Sequence, residues 1–268
     1  LKQNPINTNS SRIAIIAVDP TSPYSGGAML GDRVRMRDLS GDPDVFIRSM
    51  ASRGALGGLS HTTAAFTQVL DAAGYGTIII ETVGAGQSEV EIASLAHTVI
   101  VVEAPGMGDE IQAIKAGILE IADILVVNKA DMPGVENTER ALRANLDLGY
   151  SPRMNHNAAH MLSMSVDDET KQEGWMPPVL RTIATQANGI AEVVEVIFSH
   201  RAYLQQTGLW QHRDHERLRA EVGHLLQNAL MQRWQKTVSA ERYDAVMQQV
   251  FERKISPGSA ITNLVNGG

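Results

Sequence analysis

"ILVVNKAD", residues 124–131, is the stretch that decides the fold. Four branched apolar side chains in succession leave no polar face, so the segment reads as a strand buried on both sides. The change to Asn128, Lys129 and Asp131 marks where that strand, taken as residues 124–128, leaves the core. Similar short β-rich runs occupy residues 13–18, 45–50, 77–81, 98–102 and 179–184. Helical patterns lie between them at 61–73, 87–96, 109–121 and 137–146. Buried strands alternating with crossover helices predict an α/β fold, a parallel sheet covered by helices on both faces.

Ligands of such sheets bind beyond the carboxyl ends of the strands. Those ends read "AVDPTS", "IIETVG", "VVEAPGMGDE" and "VVNKAD", all polar or glycine-rich, and they are predicted to line one crevice. The crevice accounts for Glu81, a carboxylate placed directly after Ile78, Ile79 and Ile80, which would be costly near a core unless a cation or several donors met it. A buried structural ion pair is the plainer reading of the same residue.

The bulk composition narrows the classes. At 268 residues with 43% hydrophobic and 20% charged residues, the chain can bury a full core. The formal net charge of −7 argues against broad contact with a nucleic-acid backbone. No apolar run reaches the length of a membrane span. The absence of cysteine excludes disulfides and thiolate chemistry and fits a reducing compartment. The start, "LKQNPINTNSS", lacks an initiator methionine and is read as the interior of a longer parent, with any targeting signal out of view.

Residues 151–178, with prolines near both ends, read as a surface excursion before the last strand. Beyond Ile190 the pattern is helical at 191–207, 214–234 and 240–253, followed by a short helix opened by Ser256 and Pro257. Leu218, Val222, Leu225 and Ala229 form a stripe on one helical face, suited equally to packing within the chain or to a subunit contact. Trp210 and Trp234 are read as packing residues, and the scattered histidines show no metal-ligand spacing.

"NKAD" offers a specific chemistry. A single carboxylate, Asp131, can accept two parallel N–H donors, which guanine presents and adenine does not. Asn128 would tie the loop to its neighbours, and the stem of Lys129 would lie along the base. The alternative is a helix start with Asp131 as its cap. The second box, "ETVG" at 81–84, is a strand ending in acid-x-x-Gly and resembles the phosphate-sensing box of P-loop GTPases, usually written with Asp.

Together with "AVDPTSPYSGGAMLGDRVRM" (17–36), "PGMGDEIQAIKAGILEIADILVVNKAD" (105–131) and "IATQANGI" (183–190), these boxes resemble the MeaB/ArgK/MMAA family of GTPases along nearly the whole chain. The resemblance implies a P-loop NTPase fold of the SIMIBI type, a three-layer sandwich around a mostly parallel sheet with a C-terminal helical extension. It implies a GTPase domain over 1–200 and a dimerisation extension over 201–268. The implied cofactors are GTP or GDP with Mg²⁺. Asp19 and Asp32 would stand near the metal, Glu81 would hold a magnesium-bound or attacking water, and the Gly84 N–H would sense the γ-phosphate. Ile183, Ala184 and Thr185 would form the last base-contacting loop, with the Ala184 N–H facing the guanine oxygen. Asp32 can also be read as a solvated carboxylate beside Arg33 or Arg35.

The family role implied is a slow, Mg²⁺-dependent GTPase and homodimeric chaperone that loads and protects adenosylcobalamin-dependent methylmalonyl-CoA mutase or a related mutase. Its implied location is the cytoplasm, or the mitochondrial matrix in a eukaryote. The alternatives are a kinase-like protein of amino-acid transport and a nickel-type metallochaperone, the latter disfavoured by the absence of cysteine and of a His-rich tract. One departure stands out: G-x-x-x-x-G-K-[ST] is absent from these 268 residues, and with it the phosphate-binding lysine and the Mg²⁺-binding hydroxyl. The strand that carries the motif should leave an open slot in the sheet.

Overall fold

A computed structural model of the chain describes residues 12–20, 36, 39, 41–52, 58–82, 92–106, 121–149 and 174–266. Asp32, Gly84, the expected helix at 109–121 apart from Ile121, and the 151–173 part of the excursion lie outside the described residues.

Among the described residues, six parallel strands form two three-stranded sheets, ordered β2-β1-β3 and β4-β5-β6. They are β1 (Ile13–Pro20), β2 (Val45–Ser52), β3 (Thr77–Thr82), β4 (Ile100–Glu103), β5 (Ile124–Val127) and β6 (Val179–Arg181). β1 pairs with both neighbours, Ile16 lying opposite Arg48 and Ile80, while β5 sets Val126 opposite Val102 and Leu180. All four residues of β5 are buried, as the unbroken apolar run predicts.

Among the described residues the strands divide into two sheets, in keeping with the open slot expected, and β3 and β4 are each the last strand of one. Their outer residues show it. Ile79 is 47% exposed and Val102 58%, unusual for strands of a parallel sheet. On β3 the alternation turns Ile78 and Ile80 into a core with Ala14, Ile16, Val18 and Leu70. Ile79 and Glu81 point to the opposite side, which the helix on that core does not cover.

Among the described residues, helices cover one face of the first sheet and both faces of the second. α1 (Gly58–Ala72) seats Leu70 and Phe66 on the first sheet, where Phe46 stands 6.1 Å from Phe66 and 6.0 Å from Tyr75. α2 (Val135–Gly149) brings Val135 and Leu142 to Val101, Leu125 and Val127. α3 (Ile190–Gln206) covers the other face of β5 and β6, packing Val193, Val196 and Ile197 on Ile124, Val126 and Leu180.

Contacts divide the chain into two compact units, Leu1–Arg213 and Asp214–Gly268. The border falls inside α4 (Leu209–Thr237), which starts five residues before the expected 214 because Gly208, at φ +73°, ends the preceding segment. In the second unit, α5 (Ala240–Phe251) is capped by Ser239, whose Oγ accepts from the Arg242 N–H. α6 (Pro257–Asn266) opens as its sequence predicts, with Pro257 in the first turn and the Ser259 N–H donating to Ser256 Oγ at 3.1 Å. Trp234 donates from Nε1 to the Leu264 carbonyl at 3.1 Å and meets Tyr243 edge-on, the packing role expected of it.

Candidate functional site

The tip of β5 is knotted to the tip of β6 through one side chain. Asn128 Oδ1 accepts from Thr182 Oγ1 and from the Ala184 N–H, both at 3.1 Å. Backbone bonds lock the same junction: Thr182 N–H to Val127 O at 2.9 Å, Ala130 N–H to Thr182 O at 3.0 Å, and Asn128 N–H to Glu103 O at 2.8 Å. The chain can turn so tightly after Asn128 because Lys129 adopts the left-handed conformation, φ 57°. Asp131 is exposed at the mouth of this turn and Lys129 beside it is exposed as well. Asp131 does not cap a helix: α2 begins at Val135, and the carbonyl of Gly134 serves its first turn.

After β6, where a strand to residue 184 was expected, the backbone leaves extension at Thr182. Residues Ala184–Gln186 form a 3₁₀ turn, closed by paired bonds between Ile183 and Asn188 at 3.0 and 3.3 Å. Ile183 is half-buried, whereas Ala184 and Thr185 are exposed. The Ala184 N–H, which the resemblance gives to the guanine oxygen, is engaged by Asn128 in this structure. Thr182 was missed by the sequence reading. Its signal was a hydroxyl residue at the exit of a buried strand, facing an asparagine at the exit of the neighbouring strand.

On the other sheet, β1 and β3 set Ala17 opposite Glu81, so the backbone of Asp19 lies two positions beyond that pair, at the same end of the sheet. Glu81 is half-buried, and its Oε2 is enclosed without a hydrogen-bond partner among the described residues. An enclosed carboxylate oxygen left without a donor marks a place for a water or a cation. Glu103, at the tip of β4, is buried too, and the sequence reading passed over it as a site residue.

The opposite end of β5 carries a second polar cluster. His200, only 1% exposed, directs Nδ1 to Thr98 Oγ1 at 2.9 Å and Nε2 toward Asp123 Oδ1 at 3.4 Å. Asp123 also receives the Val99 N–H at 2.9 Å and the Arg213 guanidinium at 3.1 and 3.2 Å. Arg213 further donates to the His97 carbonyl, and His97 stacks on Trp210. Burial holds the His200 imidazole below its ordinary range, and Arg213 adds to this while Asp123 opposes it. The cluster fastens α3 and residues 209–213 to the base of the sheet.

Comparison with known proteins decides what the knotted tip belongs to. The profile of the family described as "Methylmalonyl Co-A mutase-associated GTPase MeaB" matches residues 4–239. The chain belongs to the MeaB family. Among MeaB relatives, the E. coli (strain K12) GTPase ArgK is 38% identical over 200 residues, covering 75% of this chain and 56% of ArgK. The Mycobacterium tuberculosis (strain H37Rv) "Probable GTPase Rv1496" is 34% identical over 256 residues, 95% of this chain and 71% of that protein. The mouse "Methylmalonic aciduria type A homolog, mitochondrial" is 30% identical over 250 residues, 93% of this chain and 56% of the relative. A solved structure titled "LAO/AO transport system kinase" superposes with a TM-score of 0.57 at 25% identity, covering 95% of this chain and 71% of that one. The MeaB fold here is that of the P-loop GTPases, and a GTPase family binds guanine nucleotide. No helix among the described residues is long and apolar enough to cross a membrane.

Proposed function

We propose that this protein is a GTP-binding and GTP-hydrolysing chaperone that couples its nucleotide state to adenosylcobalamin loading and protection of methylmalonyl-CoA mutase or a related acyl-CoA mutase. The observation that carries the nucleotide part is the Asn128 knot, which joins the two base-contacting loops and leaves Asp131 exposed at their mouth. Asp131 accepts the ring N–H and exocyclic amine of guanine, and the Lys129 stem lies against the base. The Ala184 N–H faces the guanine oxygen once it is shared with, or released from, Asn128. The mutase part rests on the family's description as methylmalonyl-CoA mutase-associated and on the name of the mouse relative.

Hydrolysis needs charge neutralisation and an oriented water at the other tips. The enclosed Oε2 of Glu81 suits a hard cation's oxygen-rich shell, so Glu81 with Asp19 and Asp32 would hold Mg²⁺ through its waters. The metal, when bound, offsets phosphate charge. Glu81 orients the attacking water and the Gly84 N–H meets the γ-phosphate, whose remaining ligands belong to the P-loop motif absent from these residues. Residues 201–268 serve as a dimerisation extension of the 1–200 GTPase domain, in keeping with the exposed Leu218, Val222 and Leu225 on α4.

γ-Labelled GTP tests the reading on the full-length protein with and without the mutase. Free phosphate should appear slowly alone and faster with the mutase. Equal rates would remove the partner role, and label on protein would favour a kinase.

A further inference from the structure

We propose that Gly189 is a positioning residue for the base-binding loops, acting through the backbone of Arg181 and Thr182. The inference rests on the guanine reading above and names a residue which that reading does not use.

Gly189 caps the start of α3 with φ +74°, ψ −4°, a left-handed conformation that disfavours residues carrying a Cβ. Conformation is the lesser constraint, since asparagine tolerates it. A Cβ added at Gly189 would collide with the Arg181 carbonyl oxygen and lie 3.3 Å from both the Arg181 carbonyl carbon and Thr182 Cα. These are backbone atoms, which cannot rotate away. The first residue of α3's cap is therefore seated directly on the end of β6. Other left-handed glycines are not built this way: Gly74, Gly106 and Gly208 have nothing within 4 Å of the same position.

What is seated matters more than the seat. Thr182 donates to Asn128 and accepts from the Ala130 N–H, and two residues later Ala184 donates to Asn128. Between Thr182 and Gly189 the chain closes on itself through Ile183 and Asn188, with Ala187 also left-handed at φ 56°. The loop is thus a short closed turn anchored at both ends, and Gly189 is the end that permits close approach. Raising it off Arg181 would carry Thr182 and Ala184 away from Asn128 and turn Asp131 out of register with the base. Gly189 touches no nucleotide in this scheme.

The test compares mant-GDP with mant-IDP, which lacks the 2-amino group, on the full-length wild type, Gly189→Asn and Gly208→Asn. Asparagine accepts the left-handed backbone at either position, but only at 189 does its Cβ meet backbone. The wild type and Gly208→Asn are expected to prefer GDP equally. Gly189→Asn should lose at least about tenfold of that preference, as when one charged hydrogen bond is misplaced. Mere destabilisation would weaken both nucleotides alike, so an unchanged GDP-to-IDP ratio overturns the positioning role. If Gly189→Asn does not fold, a single glycine inserted after Asn188 releases the seat without any added Cβ. That insertion should show the same collapse of preference, and retention of wild-type preference would refute the inference. A wild type without any preference for GDP sinks the guanine reading itself, a result distinct from either.

Discussion

At the scale of single residues, Asn128 is the side chain on which most depends. Asn128→Ala would strip the acceptor from both Thr182 Oγ1 and the Ala184 N–H, at a cost of about 1–2 kcal/mol, set mainly by the part-buried Thr182 hydroxyl because water can meet the exposed Ala184 N–H. Asn128→Asp keeps an acceptor there and should unfold in urea near the wild-type midpoint; equal losses in both variants would deny the side-chain oxygen its structural part. On the proposed reading, Asp131 serves recognition rather than stability. Asp131→Asn on the full-length protein should weaken GDP binding by about a hundredfold, as two charge-assisted bonds become mismatched, with the melting temperature unchanged. His200 brings pH dependence. Its folded pKa is pushed below the ordinary 6.5 mainly by burial, so the unfolded chain takes up the proton first. Its contribution to stability is complete above about pH 6.5 and declines as the pH falls below that value. A series of thermal melts from pH 7.5 to 5.0 should show a shallower acid slope in His200→Gln than in the wild type; identical slopes would exclude this imidazole.

At the scale of elements, strand identity was legible because unbroken branched runs admit few alternatives, and five of the six strands begin within one residue of expectation. The exception is β4, displaced two residues toward Glu103 because pairing with Ile124–Val127 fixes its register and Thr98 instead faces His200. The end of β6 was not legible, since apolar Ile183 and Ala184 follow Arg181 and Thr182 in a strand-like pattern while the bonds to Asn128 and Asn188 bend the backbone away from extension. Within the candidate site, "NKAD" announced Asn128 and Asp131. The part played by Thr182 depends on Asn128, 54 residues away, and that of Gly189 on how the turn between them folds back on Arg181, neither of which a residue pattern encodes. On α4 the expected stripe exists, and Leu218, Val222 and Leu225 are exposed together with Leu226, Leu230 and Met231. If this face makes the proposed subunit contact, replacing Val222 and Leu225 by Asp should lower the mass in light scattering to that of a monomer with helicity retained; an unchanged mass would discard this face as the subunit contact.

At the scale of the whole molecule, the decisive features are the two terminal strands β3 and β4, with Ile79 and Val102 uncovered. Apolar residues on terminal strands favour dye binding and self-association. The 268-residue chain should therefore bind anilinonaphthalene sulfonate, and Ile79→Thr with Val102→Thr should reduce the fluorescence; no reduction would place the dye elsewhere. The tie between Asn128 and Thr182 has a different bearing, on how the native state is reached. It joins positions 54 apart along the chain, and a parallel pairing of that span must pay its closure entropy before any bond rewards it. Recovery of guanine binding after dilution from denaturant should consequently trail the recovery of helical signal, because the newborn chain finishes its reading head last.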